Sequence, residues 1–184
     1  MNKKKILVIT GSPRKNGNSD ILAETFIEGA LQAGHTVDRF DAGRKKINGC
    51  IACDKCFTRE TACAVKDAFN DVAPLIAQAD TIVLSSPLYF FSFSTQIKAV
   101  IDRLYCFNSS PEPLRVKESV LLACGETTDL TDFDGMVKTY EKTIGYLNWN
   151  DRGQILVPEV NTKAEINAKG QEYLKSAKEL GLAI

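Results

Sequence analysis

Ile6-Leu7-Val8-Ile9-Thr10 runs directly into Gly11-Ser12-Pro13-Arg14-Lys15-Asn16-Gly17-Asn18-Ser19, and that loop leads into a helical pattern. No other stretch constrains the chain as strongly. Five consecutive apolar or β-branched residues describe a strand buried on both faces, as in a parallel sheet. The loop is built from turn formers. Asn18 or Ser19 fits the cap of the following helix, with Asp20 in its first turn. A strand that passes through such a loop into a helix N-terminus gathers free N–H groups and the positive end of the helix dipole at one place, which makes an anion site. Ser12 and Ser19 add hydroxyl donors and Arg14 adds a charged fork. The loop therefore reads as the seat of a phosphate-bearing cofactor. An ordinary strand-to-helix turn with a surface arginine has the same composition.

The spacing narrows the choice of phosphate. A nucleoside triphosphate loop reads G-x-x-x-x-G-K-[ST], whereas here Gly17 comes one residue late and Asn18 stands where the lysine belongs. A dinucleotide loop reads G-x-G-x-x-G, but Gly11 is followed by Ser12 and Pro13. What remains is a set of neutral donors with one arginine, suited to a terminal monophosphate.

Charge and cysteine usage exclude several classes. Lys plus Arg and Asp plus Glu are 23 each, so no basic field invites nucleic acid. The apolar runs are too short for a membrane span. Lys3-Lys4-Lys5 precedes an apolar stretch too short for a signal peptide, so a cytoplasmic location is expected. In that compartment the six cysteines are thiols, metal ligands or redox groups. The one histidine, His35, reads as a turn residue and leaves no Ser-His-Asp site.

The periodicity gives five strands alternating with five helices. Helix is expected over about Ser19–Ala33, with Ile21, Leu22, Phe26, Ala30 and Leu31 as its buried stripe, then strand over Thr36–Asp41. Residues 43–66 lack a period, carry four cysteines and read as a loop insertion in a single domain spanning 1–184. Helix follows over about Asp67–Ala79, strand over Thr81–Ser85, and helix from Ser94 or Thr95 through Phe107. Pro111 and Pro113 mark a linker. Strand over Ser119–Ala123, helix from Phe133 to Leu147, strand over Gln154–Val157 and helix over Ala164–Leu182 complete the pattern. Such alternation implies a parallel sheet covered on both faces.

Three stretches resemble a known family. The Gly11–Ser19 loop is similar to the phosphate loop of the NADPH-dependent FMN reductases. So is Ser86-Pro87-Leu88-Tyr89-Phe90-Phe91 followed by Gln96-Ile97-Lys98-Ala99-Val100-Ile101-Asp102-Arg103. Gly49-Cys50-Ile51-Ala52-Cys53-Asp54-Lys55-Cys56 resembles the iron-sulfur flavoprotein branch of that family. The resemblance implies a three-layer α/β flavodoxin-like fold, with a five-stranded parallel sheet in order 2-1-3-4-5. It implies FMN bound where the first and third strands diverge, NAD(P)H as co-substrate and an electron acceptor. It also implies a homodimer or dimer of dimers, with contacts from the Thr95–Phe107 helix and the aromatic loop.

Under that reading the FMN phosphate goes to Ser12, Arg14, Asn18 and Ser19, and the ring to Pro87, Leu88, Tyr89, Phe90, Phe91 and Gly125. Pro87 fixes the chain as it leaves the strand, and the following residues offer ring contacts and backbone N–H groups. Phe91 departs from the family pattern, which has a small residue there. No catalytic acid or base is assigned, because flavin carries its own chemistry. Cys50, Cys53, Cys56 and Cys63 are spaced to hold a [4Fe-4S] cluster, with Lys55, Arg59 and Lys66 offsetting its charge; thiols in a surface loop are the plainer reading. Cys106 and Cys124 read as packing residues. An FMN-dependent NAD(P)H oxidoreductase leads. An iron-sulfur flavoprotein-type electron carrier without NAD(P)H activity and a non-catalytic zinc-binding module are the alternatives.

Overall fold

The computed structural model describes residues 2–58, 62–109 and 114–184, so Pro111 and Pro113 of the expected linker lie outside it. Five strands form one sheet: β1 (Lys5–Thr10), β2 (Thr36–Phe40), β3 (Thr81–Pro87), β4 (Glu118–Cys124) and β5 (Asn150–Val157). Their order is β2-β1-β3-β4-β5 and every pairing is parallel. The helices are α1 (Asn18–Gln32), α2 (Phe69–Gln78), α3 (Thr95–Arg103), α4 (Asp134–Leu147), α5 (Ile166–Lys169) and α6 (Gln171–Ala183).

Side chains alternate between the faces of a strand, so a continuous apolar run feeds two cores. Ile6 and Val8 of β1, with Val83 and Val120, pack against Leu22, Phe26 and Ala30 of α1 and Ala177 of α6. Leu7 and Ile9, with Ile82, Leu84 and Leu121, face Val72 and Ile76 of α2, Ile97 and Val100 of α3, and Met136 and Tyr140 of α4. Each buried Val, Leu, Ile, Phe or Met among them contributes roughly 1.5–3 kcal/mol. A one-residue slip would exchange the two sets, so the register is firmly specified.

Several boundaries differ from the sequence reading. Helix α1 turns Leu31 outward, 53% exposed, because its apolar face is aimed at the sheet and at α6. At Gly29 a methyl group would come within 2.1 Å of the Lys178 carbonyl oxygen, and at Gly181 within 2.2 Å of that of Phe26. The two helices cross at nearly backbone contact there. Strand β5 begins at Asn150, four residues earlier than expected, since its polar Asn150-Asp151-Arg152 start lies on an exposed edge. Its pairing with β4 slips between Ser119 and Leu121, where Gly153 (φ 151°) takes up the extra residue. The closing helix is broken at Gly170, and the third helix ends at Arg103 and tightens into a 3₁₀ turn through Ser109. Among the described residues no helix is long and apolar enough to cross a membrane.

Candidate functional site

The Gly11–Ser19 loop leaves the C-terminal end of β1 beside that of β3. Gly11 N–H donates to the Ser85 carbonyl at 2.7 Å, and Ser85 Oγ donates to the Ser19 carbonyl at 2.8 Å. Ser12 and Ser19 are buried and Arg14 is exposed. The loop curls on itself: Arg14 N–H donates to Ser12 Oγ at 3.1 Å and Gly17 N–H to the Arg14 carbonyl at 3.1 Å. The cap of α1 is Gly17, not Asn18 or Ser19 as expected, and among the described residues no side chain caps it. A side chain at Gly17 would press on Ser12 Oγ and Arg14 at 3.1–3.2 Å. The first-turn N–H groups of α1 are thus left for a ligand. The Asn18 side chain is committed elsewhere. It donates to the Thr162 carbonyl at 3.0 Å and accepts from Ile166 N–H at 3.2 Å, tying α1 to the segment after β5.

Asp20, buried in the first turn of α1, would repel an anion there. Arg39 and Arg44 neutralise it, both donating to Oδ1. The same two arginines hold Asp41, whose Oδ1 also accepts from Thr10 Oγ1 at 2.9 Å. Burial alone would raise Asp41, but the hydrogen bonds from Arg39 and Thr10 and the guanidinium charges hold it below the usual carboxylate range. Behind the loop, a methyl group at Gly43 would lie 2.5 Å from Gly11 O, Ser12 C and Ser12 O. That turn supports the loop backbone directly.

The aromatic stretch forms a tight reversal. Tyr89 and Ser92 exchange both backbone hydrogen bonds, at 3.0 and 3.1 Å, and Phe90 and Phe91 between them have φ of 45° and 62°. This is a type I′ turn, which ordinarily takes Asn-Gly. Two bulky residues held there store about 1–3 kcal/mol each. The rings project outward, Phe90 97% and Phe91 57% exposed, while the Phe91 carbonyl packs on Gly135 at the start of α4. The expectation that this stretch offers free N–H donors is corrected at two positions. Leu88 N–H donates to the Cys124 carbonyl and Tyr89 N–H to Ser92, because the sheet and the turn use them.

A cavity of about 220 Å³ opens where β1 and β3 diverge. Ser12, Arg14, Asn18 and Ser19 line one end, and Pro87, Leu88, Tyr89 and Gly125 the other; Phe90 and Phe91 stand outside it. Gly125 fits closely, since a Cβ there would meet Leu88 and Phe133 at 3.1–3.2 Å. Gly17 and Cys124 also line it, and the wall formed by Glu126, Val160, Asn161 and Lys163 was not anticipated. Its signal was the end of β5, since ligands gather at strand C-termini. Glu165 secures this wall. Lys169 and the Thr162 and Asn161 amides pull its carboxyl down to about 2. A larger hollow, about 600 Å³, is an open groove between α3 and α4, lined by Lys98, Tyr105, Lys142 and Tyr146. It lies on helix faces, remote from the strand ends, so the smaller cavity is the one placed to hold a cofactor.

The cysteines meet at a second place. Ala52 and Asp54 adopt left-handed conformations, φ 49° and 52°, which fold the loop sharply between Cys50 and Cys56. Cys50, Cys53, Cys56 and Cys63 surround a cavity of about 20 Å³. Cys106, read as a packing residue, is buried but also walls that cavity, and burial with Cys63 and Cys56 nearby pushes its thiol up to about 12. Cys124 is buried as expected. Among the described residues no group of three is arranged to hold a metal ion, so the loop gathers the thiols without presetting them. Lys55 and Lys66 are exposed and Arg59 lies outside the described residues. The cation against this cavity is Arg103, 1% exposed, whose Nε is buried without an acceptor among the described residues. Four thiols and an orphaned buried donor suit an anionic sulfur-rich group.

The chain is similar to several known flavoproteins. An iron-sulfur flavoprotein of Archaeoglobus fulgidus is 28% identical over 98% of this chain and 78% of its own length. Further iron-sulfur flavoproteins match over shorter stretches, so that the aligned region spans 49–63% of their lengths. The fold is shared with an NAD(P)H:quinone oxidoreductase of Methanothermobacter marburgensis (TM-score 0.79, 15% identity, 98% and 96% of the two chains). It is also shared with an FMN-dependent NADH-azoreductase of Bacillus anthracis in complex with FMN (TM-score 0.68, 13% identity, 96% and 97%). The profile of the NADPH-dependent FMN reductases matches residues 4–130, a range holding the loop after β1, the cysteine segment and the aromatic turn. The chain belongs to the NADPH-dependent FMN reductase family of flavodoxin-like, FMN-dependent oxidoreductases.

Proposed function

We propose that the chain binds FMN in the cavity between β1 and β3 and works as a cytoplasmic NAD(P)H-dependent oxidoreductase that hands electrons to a further acceptor. The uncapped start of α1, opening into a cavity at the strand ends, carries this reading. Ser12 and Ser19 hydroxyls, the Asn18 and Ser19 amides and Arg14 would take the phosphate; Pro87, Leu88, Tyr89 and Gly125 would take the ring, with Phe90 and Phe91 outside its edge. Bound flavin supplies hydride acceptance and electron release. The protein's share is placement. Arg39 and Arg44 cancel Asp20 so that the helix start stays favourable to an anion, and the fixed Tyr89–Ser92 turn limits the ring's position.

Arg14→Ala should cost FMN affinity toward the lower end of about 1.5–3 kcal/mol, since a hydrogen bond to a charged group is discounted by exposure. Unchanged affinity overturns the phosphate placement. Rapid anaerobic mixing with NADH and NADPH should bleach the flavin with at least one of them. If neither does so, the nicotinamide step fails.

The gathered thiols favour a second element: a [4Fe-4S] cluster on Cys50, Cys53, Cys56 and Cys63, passing single electrons outward, as an electron carrier would. Iron and acid-labile sulfide in anaerobically prepared protein test it. Membership of the flavin family removes the ground for a non-catalytic zinc module. A second copy of the chain is the proposed partner across α3 and the aromatic turn, supported by the exposed rings of Tyr89, Phe90, Phe91, Tyr105 and Tyr146.

A further inference from the structure

Arg103 ends α3 and is the largest fully buried side chain among the described residues. Its partners all flank the cysteine loop. Its Nη1 donates to Asp67 Oδ1 at 2.6 Å and to the Asn48 carbonyl at 3.3 Å, and its Nη2 to the Val65 carbonyl at 3.0 Å. Asp67 in turn accepts from Asn48 N–H and Nδ2, both at 2.9 Å, and from Phe69 N–H at 3.0 Å. The guanidinium lies 4.2 Å from the Phe69 ring centre. One side chain thus joins the chain just before Cys50 to the chain just after Cys63, and fastens both to the sheet-covering helix.

The residue also walls the cysteine cavity. Asp67 neutralises the pair as a whole, so what Arg103 has left to offer is a hydrogen-bond donor more than a net charge. Its Nε–H is that donor: buried, and without an acceptor among the described residues. A buried donor left unmade is costly. Neutral thiols are weak acceptors, whereas the sulfur atoms of an iron-sulfur cluster carry negative charge and take hydrogen bonds that set its potential.

We propose that Arg103 is a positioning residue of the cysteine site, closing the base of the loop on α3 and supplying its Nε–H as a hydrogen-bond donor to cluster sulfur. The proposal rests on the cluster reading above. It differs from the sequence expectation, which placed charge compensation on loop residues.

The test uses full-length protein prepared and reconstituted without air. Arg103→Lys keeps the charge opposite Asp67 but loses Nε–H and the fork; Arg103→Gln combined with Asp67→Asn removes both charges and leaves no buried ion. FMN content reports that each variant has folded. Iron, acid-labile sulfide, the rate of iron loss to a chelator and the cluster potential from an EPR-monitored redox titration are the readouts. Both variants should keep FMN, lose iron several-fold faster and reduce at lower potential than the unaltered protein. A merely structural residue would change iron retention without moving the potential. Loaded variants with unaltered potential overturn the donor role. If the double variant does not fold, Arg103→Lys decides the question alone. Less than one iron per chain in the unaltered protein overturns the cluster reading and this inference together, leaving the FMN reading intact.

Discussion

Gly43→Ala probes the support of the phosphate loop without touching any group proposed to contact a ligand. The added methyl group would start 2.5 Å from Gly11 O, Ser12 C and Ser12 O. Ordinary contact begins near 3.5 Å, so the loop must retreat by about 1 Å. All three obstacles are backbone atoms, and no side-chain rotation relieves them. Gly11 is itself confined, because a Cβ placed on it would meet Ser94 Oγ at 2.4 Å and Ile97 Cγ1 at 2.6 Å. Overpacking of this kind costs about 1–3 kcal/mol. The retreat also misplaces the loop donors. Losing the alignment of two hydrogen bonds worth about 0.5–1.5 kcal/mol each gives a total of roughly 1–3 kcal/mol of FMN affinity, or about 5- to 150-fold. Urea denaturation of the FMN-free protein reads the first quantity, and flavin fluorescence quenching reads the second. Gly145→Ala is the control. It sits in the exposed face of α4 with nothing within 4 Å, and should gain about 0.5–1 kcal/mol. A Gly43→Ala protein as stable as the parent, binding FMN within twofold, would refute the idea that this turn sets the loop's position.

Acid should destabilise the fold. Burial pushes Asp67 up, but the Asn48 amide, Arg103 and the Phe69 amide outweigh it and hold the carboxyl low, as Arg39 and Thr10 do for Asp41. Burial and Lys4 likewise lower His35. A depressed native pKa stabilises fully above the unfolded value and is lost as pH falls. Urea midpoints should therefore decline first below about pH 6.5 and more steeply below about pH 4; a flat profile would contradict this. An alkylating reagent at mildly alkaline pH should label exposed Cys50 and Cys53 in folded, iron-free protein well before buried Cys124, as read by peptide mass. Solution scattering of the FMN-bound protein should give a dimer. Phe91→Gly, which relieves a left-handed backbone, should leave monomer stability unchanged or raise it by up to about 1 kcal/mol while weakening that dimer; a monomeric parent would exclude the interface.

The sheet was legible because its strands are buried on both faces. Ile6–Thr10 and Thr81–Ser85 admit few other readings, and a parallel sheet with helical crossovers leaves few topologies. The strand-to-helix loop after β1 was legible by composition, but the cap of α1 was not. Gly17 takes that role because Asn18 is spent on Thr162 and Ile166, partners 144 and 148 residues away. The start of β5 was hidden by its polar edge and its bulge. The aromatic turn shows a different limit. Nothing local announces a reversal at Phe90-Phe91, because propensity forbids what the Tyr89–Ser92 pairing enforces. Arg103 carried no signal of its burial, since an arginine at the end of an amphipathic helix ordinarily stays in solvent.

The near-contact of Gly29 with Lys178 and of Gly181 with Phe26 bears on when the site comes into being. Helix α1 precedes most of the chain in synthesis, yet besides the sheet it buries against α6, whose residues come more than 140 positions later. Asn18 waits for residues 162–166 in the same way. A nascent chain carrying β1, the phosphate loop and the aromatic turn still lacks α6 behind α1 and the outer wall of the cavity. On the ribosome this motif, translated well ahead of α6, is therefore among the later parts to become competent. FMN should be captured only after α6 has cleared the exit tunnel, which leaves the apolar back of α1 as the surface a chaperone would meet in the interval.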